Sequence, residues 1–394
     1  MKSEWKTIRA ADFMEFNPRM NLKKGTIATK ISMDKLQPYT KKIPETEQAE
    51  FSGGTKFSNS DTIMARITPC LENGKTAFVD CLNKDEVAFG STEFIVLRAK
   101  PGVSDAQFVY YLATSPEFRQ VAIKSMVGSS GRQRVQQPVL ENLELVVPEL
   151  PKQKRIGGFL AAIDDKIALN AKINDNLEQQ AATYFQELFI NNANPVWQIS
   201  TISDLGTVVG GSTPSKTKPE YYTNNGIAWI TPKDLSINKS KFISHGENDI
   251  TELGLKNSSA TVMPKGTVLF SSRAPIGYIA IASNEVTTNQ GFKSVIPYSE
   301  IGTAFVYFFL KRSLPVIESA ASGSTFKEIS GSAMKNIPAI IPDRNTLDQF
   351  NSFCAPIFAQ QKILEEQNHS LAMLRDSLLP KLMSGAIDIA SIQL

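Results

Sequence analysis

Between Pro151 and Asn191 the chain carries apolar or small-amide residues at alternating spacings of four and three: Ile156, Leu160, Ile163, Ile167, Asn170, Asn174, Leu177, Ala181, Tyr184 and Leu188. A stripe of that period is the seam of a long helix packed lengthwise on another helix. The segment NNANP at 191–195 ends it with turn residues and a proline. Before the helix, TIMARI, KTAFV and EFIVLR read as short strands broken by glycine and proline, followed by a helix near DAQFVYYLATSPEFRQVA. After it the order starts again, with strands at GIAWITP, GTVLFSS and GYIAIAS and a helix at GTAFVYFFLKRSLPVIESAA.

That restart is an internal repeat. The stretch from Val146 to Gln180 aligns without a gap on the stretch from Ile340 to Leu374, so that Pro148 meets Pro342, an offset of 194 residues. Under the same offset Phe159 meets Phe353, Ile163 meets Ile357, Asn174 meets Asn368 and Leu177 meets Leu371. The flanking blocks repeat more loosely: VGSSGRQRVQQPVLENLELVVP resembles SGSTFKEISGSAMKNIPAIIP. The predicted organisation is a globular unit at 1–150, a spacer helix at 151–192, a second globular unit at 193–342 and a second helix at 343–394. The fold class is α+β, with two mixed α/β units related by approximate internal symmetry.

On the second helix the equivalent stripe is Phe350, Cys354, Ile357, Gln361, Leu364, Asn368, Leu371, Arg375, Leu378 and Leu382, with more polar interruptions. The two seams are expected to face each other. Asn174 and Asn368 are candidates for fixing register, because a slipped pairing leaves a core amide unsatisfied; the competing reading is a solvated, frayed seam. Pro356 removes a helical hydrogen bond, so the second helix is expected to begin or kink there. A helix of about 37 residues spans roughly 55 Å. Two similar units and a stiff rod suggest a ruler for a long partner, and double-stranded DNA has its helical turn of about 34–36 Å on that scale.

Composition adds bounds. A chain of 394 residues exceeds one ordinary core, and a net charge of +3 permits a polyanionic partner without requiring one. Cys70, Cys81 and Cys354 form no C-x-x-C pair and only His245 and His369 could join them, which speaks against a zinc site. The N-terminus lacks an apolar signal region and no run of about 18 apolar residues occurs, so the expectation is a cytoplasmic protein away from membranes. GTVVGGSTPSK has a phosphate-loop rhythm, but Ser212 stands where the loop lysine belongs. GSSGR lacks a histidine partner, and there is no H-E-x-x-H, dinucleotide fingerprint or aminomethyltransferase tetrapeptide. No catalytic residue is assigned: the chain reads as a reader.

Base edges and phosphates are contacted by arginine, lysine, amide and hydroxyl side chains presented on turns. The first unit offers Arg66, Thr68, Asn73 and Lys75, then Ser129, Ser130, Arg132, Gln133 and Arg134. The second offers Ser212, Thr213, Ser215, Lys216 and Lys218, then Lys233, Arg273, Asn289, Gln290, Lys293, Ser324, Thr325 and Lys327. Ordinary solvated loops are rich in the same residues. The recurrence of Gly-Ser-Ser/Thr before a basic residue in both units lifts the group above its members.

With these residues in hand the chain resembles the specificity subunit of type I restriction-modification enzymes. The matching blocks are MARITPCLENGKTAFVD, AFGSTEFIVLR, GRQRV, the central helix, GGSTPSKTKPEYY, WITPKDL, SSRAPIGYIAI, TNQGFK and the closing LLPKLMSG. The resemblance covers essentially the whole chain. It implies two target recognition domains in a pseudo-twofold arrangement, each binding one half of a gapped site in double-stranded DNA. It implies that the two helices form an antiparallel coiled coil that sets the gap and docks two modification subunits, which methylate adenine at N6. S-adenosylmethionine, ATP and Mg2+ are then expected on the modification and restriction subunits, with no cofactor on this chain. A free-standing two-headed DNA-binding or scaffold protein, and a nuclease or methyltransferase with a degenerate site, are the alternatives.

Overall fold

The computed structural model describes residues 5–323 and 327–392. They fall into two compact units, one of residues 1–169 with 368–394 and one of residues 170–367. The division runs through the two long helices, so each unit holds part of both.

In the first unit Thr62–Ala65 is apolar in sequence because it is buried from end to end. It lies between Phe94–Ala99 and Thr76–Phe78, and Met14–Phe16 completes this antiparallel sheet. A second sheet orders Glu47–Glu50, Ile27–Ile31, Ala88–Gly90 and Thr55–Phe57, with a parallel pair at its centre. A two-stranded ribbon pairs Trp5–Arg9 with Glu144–Pro148. The sequence suggests one helix near 105–122; the structure has two, Ala106–Thr114 and Pro116–Lys124. The break follows from Ser115, whose hydroxyl accepts from the Phe118 amide while Pro116 takes the first helical turn.

The second unit repeats the plan. Val268–Ser272 lies between Lys293–Pro297 and Ile276–Ala282, with Gly206–Gly210 at one edge and Phe242–Ile243 at the other. The second sheet orders Tyr222–Thr223, Asn248–Ile250, Ile227–Ile230 and Thr287–Thr288, and again contains a parallel pair. Gln198–Thr201 pairs with Pro338–Ile341 as the ribbon. Here too the expected single helix is two, Thr303–Arg312 and Leu314–Ala320, parted at Ser313 ahead of Pro315.

The central helix is Leu150–Gln186, running into a π-helical turn at Glu187–Asn191. The closing helix is Arg344–Met383. It passes through Pro356 without a break, which corrects the expected start there; Pro356 lies on an exposed position, where the lost amide bond leaves its carbonyl partner near water. Within the first unit the Asn368 amide donates to the Ile167 carbonyl at 3.2 Å and Arg375 binds Asp164 at 2.7 Å, so the helices run antiparallel there. Within the second, Asn170 donates to Gln367 at 3.3 Å, Gln361 donates to the Asn174 carbonyl at 3.1 Å, and Tyr184 packs on Phe350 and Phe353. Ile156, Leu160, Ile163, Ile357 and Leu364 are buried, as is Asn170, while Ile167, Asn174, Leu177, Asn368, Leu371 and Leu378 are half-buried. Gln361 and Arg375, departures from an apolar stripe, are both partnered rather than frayed. Burial raises the Cys354 thiol to about 12, so it is an inert seam residue.

Candidate nucleic-acid interface

In the first unit two loops distant in sequence are stitched together. The Val135 amide donates to the Arg66 carbonyl at 2.8 Å, the Thr68 amide to the Gln133 carbonyl at 3.0 Å, and the Arg66 amide to the Glu93 carbonyl at 2.9 Å. Arg134 bridges to both Ile67 and Val127, closing a hairpin whose tip is Ser129–Arg132. Gly131 sits at the tip with φ of +78°, a left-handed turn that suits glycine. Ser129, Ser130 and Arg132 project as exposed residues. Arg134 is instead held in a forked ion pair with Glu93, which keeps the Glu93 carboxyl below the usual carboxylate range. Asn73 is exposed in the neighbouring turn, whereas Lys75 spends its ammonium on the Met33 carbonyl at 2.9 Å.

The second unit repeats two of those three bonds. The Ile329 amide donates to the Ser272 carbonyl at 3.1 Å, the Ser272 amide to the Gly291 carbonyl at 2.7 Å, and Glu328 bridges to Arg273 and Ser322. The loop at 211–213 is laid against 288–290: the Ser212 amide donates to the Thr288 carbonyl at 2.8 Å, and Thr213 bonds Gln290. A Cβ at Gly211 would lie 2.0 Å from the Asn289 carbonyl oxygen, so this approach needs glycine. Arg273 pairs with Glu328 at 3.2 Å, and Lys293 reaches the same carboxylate at 3.8 Å. Ser212, Thr213, Arg273, Asn289, Gln290 and Lys293 are thus brought together, with Lys327 exposed beside them. Ser215 bonds Thr217, Lys216 is exposed, Lys218 lies on Tyr221 and Lys233 pairs with Glu247. Ser324 and Thr325 lie outside the described residues.

The sequence reading missed the two acids, Glu93 and Glu328, because it sought only groups that attract DNA. It also missed a buried lysine in each unit. Lys41 lies among Phe78, Tyr110 and Tyr111, 5.4–6.0 Å from the ring centroids. Lys241 lies among Tyr307, Phe308 and Phe358, 4.1–5.5 Å from theirs. Each backbone carbonyl accepts from the equivalent strand, from Phe78 at 3.0 Å and Ile281 at 2.7 Å. The signal was present as Lys41-Lys42-Ile43 and Lys241-Phe242-Ile243. Lys241 also bonds Glu178 and the Gln361 amide oxygen, while its own amide and that of Phe242 donate to Glu365. Burial lowers both lysines from the ordinary ammonium range. Lys241 anchors the second globular region to its helices; among the described residues no cluster of His, Cys, Asp and Glu could hold a metal ion. No helix among them is long and apolar enough to cross a membrane.

Comparison with known proteins adds an independent line. Residues 2–179 and 195–368 each match the family described as type I restriction modification DNA specificity domain. The specificity subunit of the type I restriction enzyme MjaIX of Methanocaldococcus jannaschii is 43% identical over 162 residues, 41% of this chain and 37% of that one. The HindI specificity subunit of Haemophilus influenzae is 24% identical over 408 residues, 84% of this chain and 87% of that one. The crystal structure of a type I restriction-modification system S subunit from M. genitalium shares the fold, with a TM-score of 0.57 at 17% identity over 96% of both chains.

Proposed function

The chain belongs to the type I restriction modification DNA specificity family, and from that premise we propose that it selects DNA for a type I restriction-modification enzyme without catalysing the chemistry. Each unit reads one half of a gapped site in double-stranded DNA. The long helices set the gap and dock two modification subunits, with restriction subunits joining that assembly. S-adenosylmethionine, ATP and Mg2+ act on those partners.

The observation that carries the reading is the duplicated loop frame: Arg66, Arg134 and Val135 in one unit, Ser272, Glu328 and Ile329 in the other. A frame built from backbone bonds can hold different side chains in one geometry, which is what two different half-sites require. On this reading the DNA-facing groups are the exposed hairpin residues Ser129, Ser130 and Arg132 with Gln133 and Arg134, and in the second unit Thr213, Gln290, Arg273, Lys293 and Lys327. The target recognition domains correspond to about 1–150 and 193–342, with spacer helices at 151–192 and 343–394.

The experiment is a single-molecule methylome of a methylation-free host that expresses the chain with its modification subunit. The expected result is one adenine-methylated motif of two parts separated by a fixed gap. Two soluble, co-purifying proteins that leave the genome unmethylated would return the chain to a free-standing scaffold.

A further inference from the structure

In each unit one turn carries the chain from the second sheet to the first. It joins Ala88–Gly90 to Phe94–Ala99 in the first unit, and Thr287–Thr288 to Lys293–Pro297 in the second. The two turns are held alike. The Glu93 amide donates to the Ser91 hydroxyl at 3.1 Å, and the Gly291 amide to the Asn289 side-chain oxygen at 2.8 Å. The Glu93 and Gly291 carbonyls then accept from the loop frame, from the amides of Arg66 and Ser272. Phe94 and Phe292 follow directly and are buried. The residue enclosed by these bonds is Thr92 in one unit and Gln290 in the other, and both are exposed. The backbone at this apex is therefore fixed without any use of the apex side chain.

What differs is that side chain. Thr92 makes no side-chain hydrogen bond among the described residues, so it presents a hydroxyl and a methyl group. Gln290 is oriented: the Thr213 hydroxyl donates to its Oε1, which leaves the second lone pair of that oxygen and the Nε2 hydrogens free. An amide held in this way offers an acceptor beside a donor, the combination that matches N6 and N7 of adenine in the major groove. A threonine makes no such bidentate match; its hydroxyl serves donors and acceptors alike. Cations stand close to each apex in the frame, Arg134 on the Glu93 carboxylate in one unit, Arg273 and Lys293 on Glu328 in the other.

We propose that the apex is a specificity-determining position in each unit: Gln290 selects adenine at one base pair of its half-site, with Thr213 as its positioning residue, and Thr92 stands at the same place over the other half-site with weaker discrimination. This rests on the reading that each unit binds one half of a DNA site. The main-chain bonds put the apex in the same place in both units, and the side chain there decides which base is accepted.

The test takes the full chain with its modification subunit, selects duplexes from a randomised library and sequences those bound, for the native chain and for Gln290→Thr, Thr213→Val and Thr92→Gln. Gln290→Thr should lower discrimination roughly tenfold to a hundredfold at one base pair, an adenine in the native motif, while the other half and the gap stay as they were. Thr213→Val keeps the shape of the side chain and removes its hydroxyl, and should relax that same base pair and no other. Thr92→Gln should impose adenine at one base pair of the opposite half. A native motif that all three variants leave unchanged, a loss of affinity spread evenly over every sequence, or relaxation at a base other than adenine overturns the apex assignment. A native chain that enriches no two-part motif overturns the reading beneath it and the assignment with it, a result distinct from an intact motif that the variants do not alter.

Discussion

In the first unit Arg134 occupies the closing position of the hairpin and reaches back to Glu93; in the second, Glu328 occupies that backbone position and is met by Arg273 and Lys293. The main-chain pairing of Arg134 with Val127 matches that of Glu328 with Ser322, and the next residue's amide donates to Arg66 or Ser272 in each, yet the sign of the charge is reversed. Backbone geometry in these loops is thus set by main-chain pairing, leaving side chains free to differ. The buried lysines teach the complementary lesson. Lys41 and Lys241 keep both identity and place, but Lys241 has Glu178 beside it, whereas the Lys41 ammonium has no hydrogen-bonded acid among the described residues. In the first unit the buried carboxylate, Asp164, goes to Tyr111 and Arg375 instead.

That difference yields the largest expected effect. Lys241→Met leaves Glu178 buried with only Lys311 and Tyr307, and should cost about 3–5 kcal/mol. Lys41→Met exchanges a desolvated ammonium for a thioether among three rings and should fall within about 1 kcal/mol of the native protein. Urea unfolding with hydrogen exchange assigned to each unit would measure both. Equal losses would mean that the cages, rather than the acid, set the energetics.

Glu178 gives the same contrast a pH signature. Burial pushes its carboxyl upward, but Lys241 and Lys311 together hold it below the ordinary glutamate value. A carboxylate with a depressed native pKa contributes its full stabilisation above the unfolded value of about 4.3 and loses it as pH falls through the native one. The native chain should therefore exceed Glu178→Gln by about 2 kcal/mol at pH 7, the two converging as pH falls through the depressed native value. A gap that persists into acid would assign the loss to packing.

Within the proposed DNA surface, Arg132→Ala and Lys327→Ala, both at exposed positions, should each weaken binding by about 1–3 kcal/mol, each through one half-site only. Binding to libraries randomised in one half at a time separates them. A single variant that altered both halves would break the assignment of one half-site to each unit.

How much of this could be read from the sequence follows from the range of the interactions. The helix seams were legible because their four-three spacing is local, and Ile156, Leu160, Ile357 and Leu364 are buried where that spacing puts them. The two loop sets of each unit were also legible as residues. Their union was not, because Arg66 and Val135 meet through a bond between positions far apart in the chain. Ser115 with Pro116 divided a helix that apolar spacing alone had joined. Lys41 and Lys241 were passed over since a lysine in a short polar run ordinarily marks the surface; only the aromatic cages, each assembled from two segments distant from the lysine, reveal burial. Glu93 and Glu328 were passed over for a simpler reason: an acid repels DNA, and its work here is to hold a cation in place.

The smallest expected effect examines those acids. Both ion pairs are partly exposed, so Glu93→Gln and Glu328→Gln should each change stability by about 0.2–1 kcal/mol. Their consequences for DNA differ in number: Glu93→Gln releases Arg134 alone, whereas Glu328→Gln releases Arg273 and Lys293. Each added phosphate contact steepens the dependence of log K on log salt by about 0.9. Both variants should bind duplex DNA more tightly at low salt, and the slope should steepen about twice as much for Glu328→Gln. Salt titrations on a duplex lacking the recognised site isolate this term from base reading. Equal slopes in the two variants would show that Arg273 and Lys293 do not both reach the backbone; unchanged slopes in both would remove the hairpin bases of the two units from the DNA surface and leave only the exposed tip residues there.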